Sequence, residues 1–130
     1  MANSLTQMIG TGTSPVQAAT ISGTFQAGQT ALGTTQANAF AIFNNYTHFS
    51  TTAAGTGAVL PVVSATAGLG AQQSDEYVVY NYGANALLVY PGLGAGIGIG
   101  ATNAGFSVAA GKSAKFVLVS TTLWGVMLSA

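Results

Sequence analysis

From about position 36 onward the chain is a series of short runs rich in β-branched and aromatic residues, separated by Gly, Asn, Pro and Thr and recurring about every ten residues. Phe40–Phe43 and Tyr46–Thr52 flank Asn44-Asn45, a turn-favouring pair. Val59–Val63 reads as a short strand, and Pro61, which cannot donate to a ladder, predicts an edge position for it. A loop is predicted over 66–74. Tyr77–Asn81 and Ala86–Tyr90 read as a hairpin about Gly83-Ala84-Asn85, closed off by Pro91-Gly92. Phe106–Ala109 and Ala114–Val119 read as a second hairpin, and Thr121-Thr122 turns into a last strand at Trp124–Leu128. In these last strands Phe116 and Leu118 share one face, with Val117 and Val119 on the other. The spacing predicts an all-β fold, an antiparallel sandwich or barrel of about seven to nine short strands. Ala31–Phe43 is the one stretch able to hold a helix, and it lacks a clean helical stripe.

The first 35 residues differ. They are mostly Gly, Thr, Ser, Ala and Gln, with isolated large apolar residues at Val16, Ile21, Phe25 and Leu32. This composition fits either a solvated tail or an extended arm that orders on a neighbour. The organisation expected is thus an N-terminal arm over 1–35 and a β domain over 36–130.

Charge sharpens the picture. Among 130 residues only Asp75, Glu76, Lys112 and Lys115 are charged, and they sum to zero. A soluble domain is ordinarily about 25% charged. No basic face exists to neutralise phosphates, which argues against nucleic acid as a partner. There is no cysteine, so disulfides and thiolate metal sites are excluded. Nearly half the residues are hydrophobic, enough to fold, yet a free monomer with so few charges is poorly protected against association. Residues 1–10 lack the basic start and apolar core of a signal peptide. The longest weakly polar run, 86–101, is too short and too rich in glycine to span a membrane.

Candidate chemistry is sparse. Gly111-Lys112-Ser113 ends like a phosphate-binding loop, but Phe106 stands where the first glycine belongs and a strand follows, so a hairpin turn is expected. His48 is the only histidine, on a strand rich in Thr and aromatics, and is expected to hydrogen-bond within a sheet. Asp75 and Glu76 are adjacent and would point to opposite faces of a strand, unsuited to paired acid–base work. Lys112 and Lys115 are expected to snorkel or to pair with Asp75 or Glu76 on a neighbour. Asn45-Tyr46-Thr47 matches a glycosylation acceptor but carries no weight without a secretory signal. Tyr77, Tyr80, Tyr82 and Tyr90 gather around the central hairpin, where core and interface packing is the simpler reading and a sugar platform the sharper one. Glycines fall at every second position from Gly92 to Gly100. As a strand this stretch would have one bare face and another bearing Leu93, Ala95, Ile97 and Ile99, as at a close subunit contact; as a loop it would be flexible with apolar anchors. No catalytic, metal or cofactor site is expected, and an enzyme is not expected. The residues marked as candidate contacts are Phe25, Leu32, Gly94, Gly96, Gly98, Ile97 and Ile99.

The second half also carries a resemblance. Val78-Val-Tyr-Asn-Tyr-Gly-Ala-Asn-Ala-Leu-Leu-Val-Tyr-Pro91, the glycine-rich link, Phe106-Ser-Val-Ala-Ala-Gly-Lys-Ser-Ala-Lys-Phe-Val117 and the late Trp124, preceded by Thr51–Pro61, resemble small virion proteins of tailed bacteriophages. The resemblance spans roughly 51–128. It implies a β-rich component of the particle such as a capsid decoration, or cement, protein. It also implies a homotrimer, binding to the major capsid protein on the capsid exterior after assembly in the host cytoplasm, and an arm that adds to strands of that protein. The alternative is a head-fibre or tail-fibre domain that binds a receptor or glycan.

Overall fold

The computed structural model describes residues 25–64 and 69–130. Of the expected arm over 1–35, residues 1–24, with Val16 and Ile21, lie outside the described residues, as does the stretch 65–68, where the predicted loop begins; Phe25–Thr30 form the first strand and the chain reaches the core at Ala31. The strands are β1 (Phe25–Thr30), β2 (Phe40–Ala41), β3 (Tyr46–Thr51), β4 (Gly57–Val59), β5 (Glu76–Asn81), β6 (Leu87–Tyr90), β7 (Gly96–Ile97), β8 (Phe106–Val108), β9 (Ser113–Ser120) and β10 (Leu123–Leu128). A single 3-10 turn, Gln36–Asn38, is the helical part of the stretch Ala31–Phe43, which otherwise holds β2.

Two sheets share one core. The larger runs β1-β3-β5-β9-β10-β7 and the smaller β2-β4-β6-β8. The first six strands alternate between them, and within each sheet these neighbours are parallel: β1 with β3 and β3 with β5, β2 with β4 and β4 with β6. The chain therefore coils, each turn laying one strand in each sheet. The last turn is closed by reversal. β8 runs antiparallel to β6, β9 antiparallel to β5, and β10 folds back on β9, with β7 lying parallel along β10.

The strand-rich class is as expected, but three details differ. The sheets are mixed and open, so the antiparallel sandwich is only partly realised and no barrel closes. Tyr77–Asn81 and Ala86–Tyr90 are not a hairpin: they are β5 and β6, on different sheets, as are β8 and β9. Only β9–β10 is the hairpin predicted. The physical reason is that a period of two tells which face of a strand is buried and says nothing about which strand lies beside it. Val59–Val63 is also not an edge strand. β4 sits between β2 and β6, Leu60 N still bonds Tyr90 O at 2.9 Å, and Pro61 follows where that pairing stops.

Alternation then assigns the faces. Tyr77, Val79 and Asn81 of β5, Ala114, Phe116 and Leu118 of β9, and Thr47 and Phe49 of β3 point inward. Leu87 and Val89 of β6 meet them from the smaller sheet. Trp124, Phe49 and Phe116 are the largest fully buried side chains. Each buried aliphatic or aromatic group of this kind contributes about 1.5–3 kcal/mol. Phe116 stands edge-on to Phe106, and Trp124 edge-on to Tyr77.

The corner from β5 to β6 is held by a polar clamp. Asn81 is fully buried, and its Nδ2 donates to Asn85 O at 2.8 Å and to Val108 O at 3.0 Å. Its Oδ1 accepts from Thr52 Oγ1 and Gly83 N. Asn85 Nδ2 in turn donates to Thr52 O. A Cβ on Gly83 would lie 2.4 Å from Thr52 N, so only glycine fits there. These residues are the Asn-x-Gly-Ala-Asn segment that reads as a hairpin turn in the sequence.

Candidate functional site

Parallel register places like positions of successive turns side by side, and on the outer face of the larger sheet several of those positions carry aromatic rings. Phe25 pairs with Tyr46, and their rings stack at 4.8 Å between centroids. His48 pairs with Tyr80, and their rings lie 5.6 Å apart and 12° from parallel. Tyr82, just past β5, completes a three-ring group: 5.9 Å from Tyr80 and 5.8 Å from His48. Its backbone N bonds Phe49 O, which fixes it beside β3. The imidazole is oriented by Gly28, whose N–H donates to His48 Nδ1 at 3.2 Å.

Two of the charged groups, Glu76 on β5 and Lys115 on β9, share this outer face. Glu76 and Lys115 form an ion pair at 2.6 Å within the chain, both side chains partly exposed. Such a pair contributes at most about 1 kcal/mol. Lys112 Nζ bonds Ala130 O, and Asp75 Oδ2 accepts from Gln72 N. Asp75 and Glu76 thus serve a turn and an ion pair, not one site. Burial, with a smaller contribution from Asp75, holds the Tyr77 phenol above the usual tyrosine range. Among the described residues no three His, Asp, Glu or Cys side chains gather as metal ligands would, and no helix is long and apolar enough to cross a membrane.

The four tyrosines of the central segment are split. Tyr77 faces the core, Tyr80 and Tyr82 face outward beside His48, and Tyr90 lies over Gly57 and Gly105 on the smaller sheet with its hydroxyl donating to Thr34 O. The candidate contact residues are also divided. Phe25 lies on β1 at one edge of the larger sheet and is 63% exposed. Leu32 is exposed beside the smaller sheet, bridged to Gly57. Gly94, Gly96, Ile97, Gly98 and Ile99 lie at or beside β7, the opposite edge of the larger sheet. Gly96 and Ile97 are buried within the chain, while Ile99 is fully exposed.

The glycine-rich stretch forms only two residues of strand. Gly94 and Gly98 have φ of +91° and +57°, which break the period-two strand into turns. Asn103, itself at φ +65°, pins the stretch: its Oδ1 accepts from Gly94 N at 2.7 Å and its N bonds Ala95 O. Gln36 Nε2 donates to Pro91 O and to Asn103 Oδ1. The sequence signals neither this clasp nor the His48–Tyr80 stack, since both depend on which strands are neighbours. The Asn81 clamp left one trace, an Asn at an inward position of an apolar strand.

The arrangement presents an outer sheet face rich in aromatic rings and crossed by the Glu76–Lys115 ion pair. Its chemistry is stacking, apolar contact and hydrogen bonding from phenol and imidazole groups. No family model, curated protein or solved structure matches the chain.

Proposed function

We propose that the chain is a structural protein of a tailed-phage particle, a capsid decoration protein that self-associates as a homotrimer and stabilises a shell of major capsid protein by covering its junctions. The observation that carries this reading is the surface. Large apolar side chains, among them Phe43, Leu69, Leu93 and Ile99, stand exposed. The four charges of the chain are too few to offset them in water, and two are spent on one another in the Glu76–Lys115 pair. Burying such surface at about 25 cal/mol per Å² over a standard interface of about 1,600 Å² supplies a substantial driving force, repeated at every lattice position. The role needs no catalysis.

The truncation that tests the arm is set by β1. Phe25–Thr30 pairs with β3 and Ala31 is buried in the core, so a cut at residue 35 would damage the domain. Removing residues 1–24 should abolish binding to capsids lacking the protein and leave the circular dichroism of the β domain intact. Normal capsid binding by the truncated chain would sink the arm's role.

A second reading rests on the His48, Tyr80 and Tyr82 group, in which Tyr82 is 66% exposed. A receptor-binding domain could stack a neutral sugar on such rings. A glycan array on the purified chain separates the two, since a decoration protein should show no saturable sugar binding.

A further inference from the structure

Among the described residues β1 is held to the sheet by β3 alone, and that pairing is irregular. Gln26 is opposite Thr47 and Gln29 opposite Phe49, with a register shift between them. Gly28 sits inside the shift at φ +70°. Its N–H is turned to His48 Nδ1, a side-chain acceptor at the point where the ladder is interrupted. A neutral imidazole has one N–H and one lone pair. Acceptance at Nδ1 therefore places the ring proton on Nε2.

We propose that His48 is a proton-operated latch on β1. The neutral ring accepts from Gly28 and closes the irregular pair. The protonated ring carries hydrogen on both nitrogens and cannot accept, so an N–H is set against the Gly28 N–H and the tie opens. Imidazole is the side chain that exchanges a lone pair for an N–H by gaining a proton, and His48 is the only one in the chain.

The groups around the ring are few. β1 contributes no titratable side chain; β5 and the residue after it contribute the phenols of Tyr80 and Tyr82, and β3 contributes Tyr46 on the same outer face. Of the charged groups, Lys112 adjoins Ser113, the residue opposite Tyr80, and bonds Ala130 O, while Lys115 and Glu76, further along β9 and β5, are paired with each other. Because β1 is an edge strand, opening the latch loosens that strand and leaves the core pairing of β5 with β9 in place. The latch does not depend on what the chain assembles with.

Amide hydrogen exchange and imidazole nitrogen shifts by NMR on the full chain test it, between pH about 7.5 and 5. At the upper pH the shifts should report the Nε2–H tautomer. Protection of Gly28, corrected for intrinsic exchange, should fall by about fivefold on acidification, the change that one hydrogen bond of ordinary net strength provides. Amides of β5 and β9 should hold their protection. His48→Asn puts a carboxamide oxygen where Nδ1 lies, an acceptor at both pH values, and should remove the fall. An Nδ1–H tautomer, constant Gly28 protection in the unaltered chain, or an equal fall in His48→Asn would each overturn the proposal.

Discussion

The Thr52 hydroxyl donates to Asn81 Oδ1 at 2.8 Å inside the corner where the chain leaves the larger sheet for the smaller, and neither side chain reaches solvent. Every polar atom of the Asn81 carboxamide is used there, two acceptors being served by its Nδ2 and two donors by its Oδ1. A buried polar group is tolerated only when so satisfied. The clamp fixes where β5 ends and obliges the chain to cross to β6 instead of pairing with it.

Asn81→Ala should therefore destabilise the chain by about 2–4 kcal/mol, because Asn85 O, Val108 O and Gly83 N lose their partner in a buried corner. Thr52→Val should cost less, about 1 kcal/mol, since Asn81 Oδ1 keeps Gly83 N. Urea unfolding midpoints measure both, and the order Asn81→Ala worse than Thr52→Val is the decisive feature.

Thr47 offers the opposite case. Its side chain is fully buried on the inward face of β3, and Oγ1 has no hydrogen-bond partner among the described residues. Thr47→Val keeps the shape and removes the stranded hydroxyl, so it should raise stability by about 1 kcal/mol. A thermal melt should shift upward by a few degrees. A lowered midpoint would show that the hydroxyl is satisfied.

These two residues show what was legible in the sequence. The strand positions and their buried faces could be read from alternation: Phe116 and Leu118 are inward and Val117 and Val119 outward, as the pattern predicts. The neighbours could not. Tyr77–Asn81 and Leu87–Tyr90 look the same whether they pair side by side or face each other across a core, and only the buried Asn81 contacts distinguish the cases. The outer aromatic face was invisible for the same reason. Nothing between Phe25 and Tyr46, or between His48 and Tyr80, announces a parallel register that stacks them. The glycine-rich stretch reads equally as a strand or as a loop with apolar anchors, because glycine spacing alone does not tell them apart; Gly94 and Gly98 adopt left-handed conformations that leave only a two-residue strand.

Tyr77 gives a pH dependence. Its phenol titrates above the usual range in the folded chain, chiefly through burial and secondarily through Asp75. The folded state then holds that proton to higher pH than the unfolded state. The associated stability is whole below the ordinary tyrosine pKa of about 10 and is lost as pH rises through the folded value. Tyr77→Phe should remain more stable than the unaltered chain in relative terms as pH passes 10, seen as a shallower fall of the urea midpoint in alkaline buffer. Parallel curves for the two would contradict this assignment.

Phe25 tests the parallel register. Phe25→Ala removes the ring stacked on Tyr46 and should cost about 0.5–1.5 kcal/mol from the stack. Because Phe25 lies at the edge of the sheet, the loss should appear as faster amide exchange in β1 with little change in β5 or β9. Cross-peaks between the Phe25 and Tyr46 rings in NOE spectra would show the register directly.

The central claim, that the chain is a lattice component of a phage capsid, is tested most directly by counting it. Quantitative mass spectrometry of purified particles that carry it should give a copy number that scales with that of the major capsid protein, as closed symmetry requires of a decoration protein. A copy number of a few per particle, unrelated to that of the major capsid protein, would contradict the claim.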